Sequence, residues 1–241
     1  MSPSLSSEKD TNFCFPIPDV QENDRVKLVP FIPSKHAKDL VEGFGQNTWN
    51  YLSYGPFASV EQFVEEFWEK GMRTNPATTS FTILDKASPL TINGEITIAG
   101  IVSYINSSDQ DACTEIGFVI ILPQFQRTHV TSNMVGLLMH YALDLPEEGG
   151  LGLRRLQWVC NTKNAASLKV AERMGFLFEG VLRWARVLPP SKAIGYKPAP
   201  ERKGDPRAGK GGRDSAFSSC CWDDWEGGVR DQVDKVMART K

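Results

Sequence analysis

From Arg25 to Phe31 (RVKLVPF) the apolar residues Val26, Leu28 and Pro30 alternate with polar neighbours. That two-residue period predicts a strand with one buried face, and the proline places it at a sheet edge. Ser34 reads as the N-cap of a helix through about Phe44. Ser59 caps a second helix, VEQFVEEFWEKGM, where Val60, Phe63, Val64 and Phe67 fall at helical spacing and Gly71 suits the end. Three strands follow, Ser80–Asp85, Ile96–Ile105 and Thr114–Leu122, separated by the turn-rich stretches SPLTING and NSSDQDA. A helix over Val130–Leu145 turns Met134, Leu137, Leu138, Tyr141 and Leu145 toward a core and stops at PEEGGLG. Leu156–Cys160 is a short buried strand, and Asn164–Met174 an amphipathic helix closed by Gly175. Phe176–Arg186 is a further strand, and Ser215–Trp222 a last one before the acidic helix start DDWE.

This order gives an α/β (α+β) class with a mixed, mostly antiparallel sheet and helices on both faces. Hairpin-linked strands argue against a doubly wound dinucleotide-binding sheet. Residues 1–24, rich in Ser, Pro, Asp and Glu, read as a flexible N-terminal arm, and 25–241 as one domain. Residues 191–213 hold five glycines and seven Lys/Arg against two acids, so a basic Gly/Pro-rich loop is expected at about 189–212. It either gates a site, contacts an anionic substrate or is plainly solvated.

Charge then narrows the partners. A net charge of −2 over 241 residues supplies no general attraction to nucleic acid or an anionic membrane, and none is expected as a partner. No stretch reaches the ~20 apolar residues of a membrane span, and MSPSLSSEKD lacks the apolar core of a signal peptide. The five cysteines follow no zinc spacing, and no His/Asp/Glu set has metal spacing, so no metal is expected. Reduced thiols and a cytoplasmic location are the default.

The candidate chemistry lies in EIGFVIILPQFQRTHVTSNMVGLLMHYAL. A strand ends at Pro123, a turn runs through Gln126–Thr131, and a helix begins. The unpaired N–H groups and positive dipole end of that first turn form an anion site. Arg127 adds a charge-assisted contact and Thr128 and Thr131 add hydroxyls.

With these residues the turn resembles motif A of the GCN5-related N-acetyltransferase (GNAT) superfamily, Q/R-x-x-G-x-G/A. Gln126 matches its first position, and His129 and Thr131 stand where glycines are usual. NTKNAASLKVAERMGFLFEG is similar to motif B of the RimJ/RimL-type branch, with Asn161, Asn164, Ser167, Gly175, Phe176, Glu179 and Gly180 in register. WNYLSYGPF before a helix also resembles that branch, and GRDSAFSSCCWDDWE is similar to the endings of fungal-type relatives. The resemblance covers residues 25–188. It implies a single GNAT domain whose fourth and fifth strands, about 115–122 and 156–160, run parallel and splay apart around acetyl-CoA. The implied cofactor contacts are Val119, Ile120 and Ile121 to the pantetheine arm, Gln126, Arg127, Thr128, His129, Val130 and Thr131 to the pyrophosphate, and Asn161, Asn164 and Ser167 nearer the thioester.

For catalysis the resemblance implies Glu115 as general base, directly or through water, with a solvated or salt-bridged strand glutamate as the alternative. Ser167 is implied as general acid, or as a serine that only orients water or bonds backbone. Arg186 stands where RimL-type enzymes carry a further glutamate. That departure favours an acceptor with an acidic group, or an arginine that braces the loop. Glu179 reads as structural. Trp49, Tyr51, Tyr54 and Phe57 either line the acceptor mouth or pack the helix connector, with Trp49 and Tyr54 the substrate-binding candidates. The implied activity is direct acetyl transfer from acetyl-CoA to a primary amine, on a small molecule or a peptide N-terminus, by a monomer or homodimer. Transfer of a longer acyl group, or a non-catalytic GNAT-fold module binding CoA or a partner, fits the same residues.

Overall fold

The computed structural model describes residues 12–87, 97–192 and 194–239. The turn expected at SPLTING and the strand start at Ile96 lie outside them. Eight strands form one sheet among the described residues, in the order β1-β2-β3-β4-β5-β6-β8-β7. They are β1 (Gln21–Glu22), β2 (Val26–Pro30), β3 (Thr79–Asp85), β4 (Thr97–Ser108), β5 (Cys113–Ile121), β6 (Arg155–Asn161), β7 (Leu177–Leu188) and β8 (Gly211–Cys221). All neighbours are antiparallel except β5 and β6. The expected mixed sheet is therefore the observed one.

Helices α1 (Pro33–Gly43) and α2 (Val60–Phe63, continued as a wider turn over Val64–Glu69) cover one face. There Leu40, Phe63, Phe67 and Trp68 bury against Ile101 and Ile120. Helices α3 (Val130–Leu143), α4 (Ala165–Arg173), α5 (Trp222–Asp224) and α6 (Arg230–Met237) belong to the other face. The main core there holds Ile116, Leu138, Met134, Leu156, Trp158 and Trp225.

Local chemistry explains most of the element ends. Ser59 Oγ accepts from the Gln62 amide at 3.2 Å, as a cap should. Asn164 Oδ1 does the same for the Ser167 amide at 3.2 Å. Gly175 follows α4 at φ 84°, and a side chain there would meet Val229 at 2.6 Å, so the position demands glycine.

Several expectations are corrected. Helix α1 is capped at Ile32 rather than Ser34, because Pro33 is preset for a first helical position and His36 Nδ1 takes the Ile32 amide at 3.0 Å. Helix α3 stops at Leu143 and Leu145 is 44% exposed, since the chain leaves helical geometry at Asp144 before PEEGGLG is reached. Asn106–Ser108 belong to β4 rather than to a linker, and Gly211–Arg213 open β8 rather than close the basic loop. The described part of the N-terminal arm is pinned: Phe15 is buried, Phe13 stacks on Tyr104 at 6.4 Å, and Gln21–Glu22 pair with β2. Those aromatics offset the polar composition around them.

Candidate active site

Strand β5 pairs with β6 only through Cys113, Thr114 and Glu115, opposite Arg155, Leu156 and Gln157. Beyond Glu115 the two parallel strands separate, and β6 continues against β8. The β5 edge from Ile116 onward thus has no strand beside it. Its backbone groups need partners, which makes the gap a place for an extended, hydrogen-bonding ligand.

A bulge sits on the same strand. Ser103 faces Gly117 and Ile101 faces Ile120, so β4 advances two residues while β5 advances three. Phe118 is the extra residue, at φ 47°, an unusual conformation for a bulky side chain. Its ring is held by Tyr54 at 5.2 Å and Phe67 at 5.3 Å. The insertion switches the alternation of faces. Phe118 and Ile120 pack with α1 and α2, while Ile116, Val119 and Ile121 pack with the main core.

Glu115 stands at the closed end of the gap, 4% exposed. Asn106 Nδ2 donates to its Oε2 at 2.8 Å, and no cation lies within salt-bridge distance among the described residues. Burial pushes the carboxyl up to about 7, against the opposing effects of the Asn106 hydrogen bond and the Arg186 and Arg213 charges. A carboxylate poised there can take a proton from an ammonium group near neutral pH. Of the two readings for Glu115, the salt-bridged one has no partner.

At the other side of the gap, Ser167 Oγ accepts from Trp158 Nε1 at 2.9 Å. The bond from Trp158 uses only an acceptor site and leaves the serine proton as a donor, with the Cys160 thiol as its nearby hydrogen-bond partner. Asn164 spends its carbonyl on capping α4. Asn161 Oδ1 accepts from the Lys163 amide at 2.9 Å and its Nδ2 donates to the Ile194 carbonyl at 3.3 Å, so its side chain holds the loop after β7.

The turn before α3 has the expected anion-ready form. Asn133 makes the first backbone bond of the helix, to His129, leaving the Val130, Thr131 and Ser132 amides without an intrahelical acceptor. Gln126 Nε2 donates to the Ile121 carbonyl at 3.0 Å, tying the turn to the end of β5. Arg127 is exposed and takes φ 62°, so the left-handed step falls on a non-glycine residue. Thr128 Oγ1 donates to the Phe125 carbonyl at 2.6 Å and receives the Val130 amide at 3.3 Å. The His129 ring meets Asp85 at 3.0 Å through Nε2, so that nitrogen is engaged by β3. Its backbone amide remains part of the turn.

The acceptor-side candidates divide. Trp49 is buried between Phe44 and Phe57, at 4.9 and 5.0 Å, so packing is its role. Tyr54 is 41% exposed beside Phe118. Arg186 lies opposite Arg213 in the β7–β8 ladder. Glu179 receives both Arg155 nitrogens, at 2.9 and 2.5 Å, and the Ser219 hydroxyl at 2.7 Å, a bracing role. Residues that sequence reasoning passed over are Asn106, hidden in an apparent turn, Phe118, whose bulge leaves no compositional trace, and Lys192 and Arg213, counted only as loop charge.

No protein of curated function matches the chain in sequence. Solved structures do. A probable acetyltransferase (GNAT family) from Chromobacterium violaceum is 26% identical over 94% of this chain and 98% of its own, at TM-score 0.68. A GCN5-related N-acetyltransferase from Brucella melitensis is 24% identical over 92% and 87%, at TM-score 0.70. Spermidine N-acetyltransferase from Vibrio cholerae, in complex with CoA and spermine, shares the fold at 15% identity over 85% and 99%, at TM-score 0.58. The family described as acetyltransferase (GNAT) domain matches residues 25–177, and the chain belongs to that family.

Proposed function

We propose that this protein is an acetyl-CoA-dependent N-acetyltransferase that transfers acetyl directly to a primary amine. The observation that carries the reading is Glu115, a buried carboxyl held near neutrality at the point where β5 and β6 part.

The residues present suit acetyl-CoA. Amides of the first turn of α3, with Gln126, Arg127, Thr128, His129, Val130 and Thr131, would hold the pyrophosphate. The free edge at Val119–Ile121 would pair with the pantetheine arm, with Asn161 and Asn164 flanking it. When bound, acetyl-CoA supplies an activated acyl group as a thioester. Glu115 accepts the proton that keeps the amine from being a nucleophile. An amide at the Phe118 bulge would face the oxygen on which negative charge develops. Ser167 would donate a proton to the departing sulfur and regain one from the nitrogen, which sheds it as the amide forms. The new C–N bond replaces the C–S bond, and no covalent enzyme adduct is needed, as no paired nucleophile and base occur among the described site residues.

The free thiols at Cys14, Cys113, Cys160, Cys220 and Cys221 support a cytoplasmic setting. No helix among the described residues is long and apolar enough to cross a membrane.

A thiol-release assay over an amine panel tests the proposal, with calorimetric titration of acetyl-CoA beside it. One observation favours a second reading, a CoA-binding module without turnover: the phosphate turn takes its left-handed step at Arg127 and lends the Val130 amide to Thr128. Binding without thiol release for any amine would establish that reading. Absence of binding at millimolar acetyl-CoA would remove both.

A further inference from the structure

The acceptor side of the gap carries cations with no carboxylate in salt-bridge distance among the described residues. Arg213, at the start of β8, is buried, and its Nε has no hydrogen-bond partner. One of its terminal nitrogens donates to the Tyr51 carbonyl. Arg186 is its direct neighbour across the ladder, exposed, and among the described residues bonded only to the carbonyl of the adjacent Ala185 at 2.9 Å. Among the described residues neither guanidinium has a carboxylate within 4 Å. Their like charges act on each other, and both act on Glu115. Lys192, also buried, reaches the Trp49 and Tyr54 carbonyls of the same connector at 3.0 and 2.7 Å, without an acid. The acid next in sequence, Asp214, is taken by Lys197 at 3.4 Å and the Trp184 amide at 2.8 Å.

A structural pair of arginines would be expected to face acids. Burying a cation with an unmatched N–H is costly unless something supplies the acceptor. Two guanidinia side by side form a fork suited to an oxyanion. Glu115 cannot fill that role, because its carboxyl is withheld by burial and engaged by Asn106.

From this juxtaposition we infer that the acceptor amine carries its own carboxylate, read by Arg213 and Arg186 while the amino group is presented to Glu115. The inference rests on the transferase reading and narrows its substrate class to small amino acids. It also sets this chain apart from a polyamine acceptor, since a second ammonium group would be driven off by the same arginines.

The test uses three amines with the same four-carbon chain: γ-aminobutyrate, n-butylamine and 1,4-diaminobutane. Turnover is read by thiol release, and binding to the CoA-saturated protein by calorimetry. The expected result is a kcat/KM for γ-aminobutyrate at least tenfold above butylamine and higher still above the diamine. Arg186→Gln, at an exposed position that folding does not depend on, should bring the carboxylate preference down toward unity through KM. Arg213→Gln should do so more severely, and circular dichroism checks that it folds.

Equal turnover of all three amines would overturn the carboxylate site and leave the transferase standing. Selective binding of γ-aminobutyrate, lost in Arg186→Gln, with no turnover would keep the site and overturn the transferase. Neither binding nor turnover of γ-aminobutyrate, with butylamine acetylated, would overturn the site alone. No amine bound and none acetylated would overturn both.

Discussion

Replacing Glu115 by Gln removes the titration while keeping the size and the ability to accept from Asn106. The folded carboxyl sits at about 7 against an ordinary 4.5. The proton is therefore held more tightly in the folded protein than in the unfolded chain. Stability from this group is complete below the unfolded value and is lost as pH rises through 7. At ~1.36 kcal/mol per unit, the ionised form costs the fold on the order of 3 kcal/mol at high pH. Most of that falls between about pH 5 and pH 8.5. With 4% of the residue exposed, solvent screening removes little of it. Urea unfolding of wild type and Glu115→Gln at both pH values measures the difference directly. The variant should gain on the wild type by about that amount on going to pH 8.5, while its kcat falls by roughly 10²–10⁴. A stability gap that stays constant with pH, or that moves in favour of the wild type, would refute the account of a carboxyl raised by burial.

Asn106→Ala removes the one hydrogen bond to the Glu115 carboxylate among the described residues. The acidic limb of the kcat/KM profile, expected near pH 7 in the wild type, should move to higher pH. Gly100→Ala would place a methyl group 2.1 Å from the Ile120 carbonyl oxygen beside the bulge, and should lower stability by about 1–3 kcal/mol in denaturant titration. Ser167→Ala should leave folding near wild type and reduce kcat, with partial recovery for acyl thioesters of more acidic thiols, whose sulfur leaves without a proton. His36, half-buried and held down to about 4, binds its proton more readily when unfolded, so it contributes stability above pH 6.5 that is lost as pH falls toward 4. His36→Gln should flatten that part of the stability–pH curve.

Strand and helix identities were legible wherever a repeating apolar pattern ran for more than five residues. The helix caps at Ser59 and Asn164, and the closing Gly175, needed only local chemistry. The site was legible only as far as it is local. The turn before α3 and the start of α4 announce themselves because their function lies in consecutive backbone groups and capping side chains. The His129 ring did not, since its partner Asp85 is forty-four residues away and is supplied by a neighbouring strand. For the same reason Arg213 read as one more charge in a basic loop. Only the β7–β8 register sets it against Arg186 and beneath the Tyr51 carbonyl.

The bulge at Phe118 shows how a single inserted residue builds the site. Glu115 and Gly117 share a face of β5, and without an insertion the following same-face positions would be 119 and 121. The extra residue moves Phe118 and Ile120 to the α1/α2 side and returns Val119 and Ile121 to the main core. One strand thus presents its carboxyl toward the connector that carries Tyr54, while its free edge runs on toward the turn at Gln126. On the transferase proposed above, an acceptor entering between the connector and β8 would meet Arg213 and Glu115, and a thioester ligand lying along β5 toward α3 would meet the bulge from the other direction. Catalysis would then fall at the bulge rather than at the turn before α3, although the turn carries the stronger sequence signal.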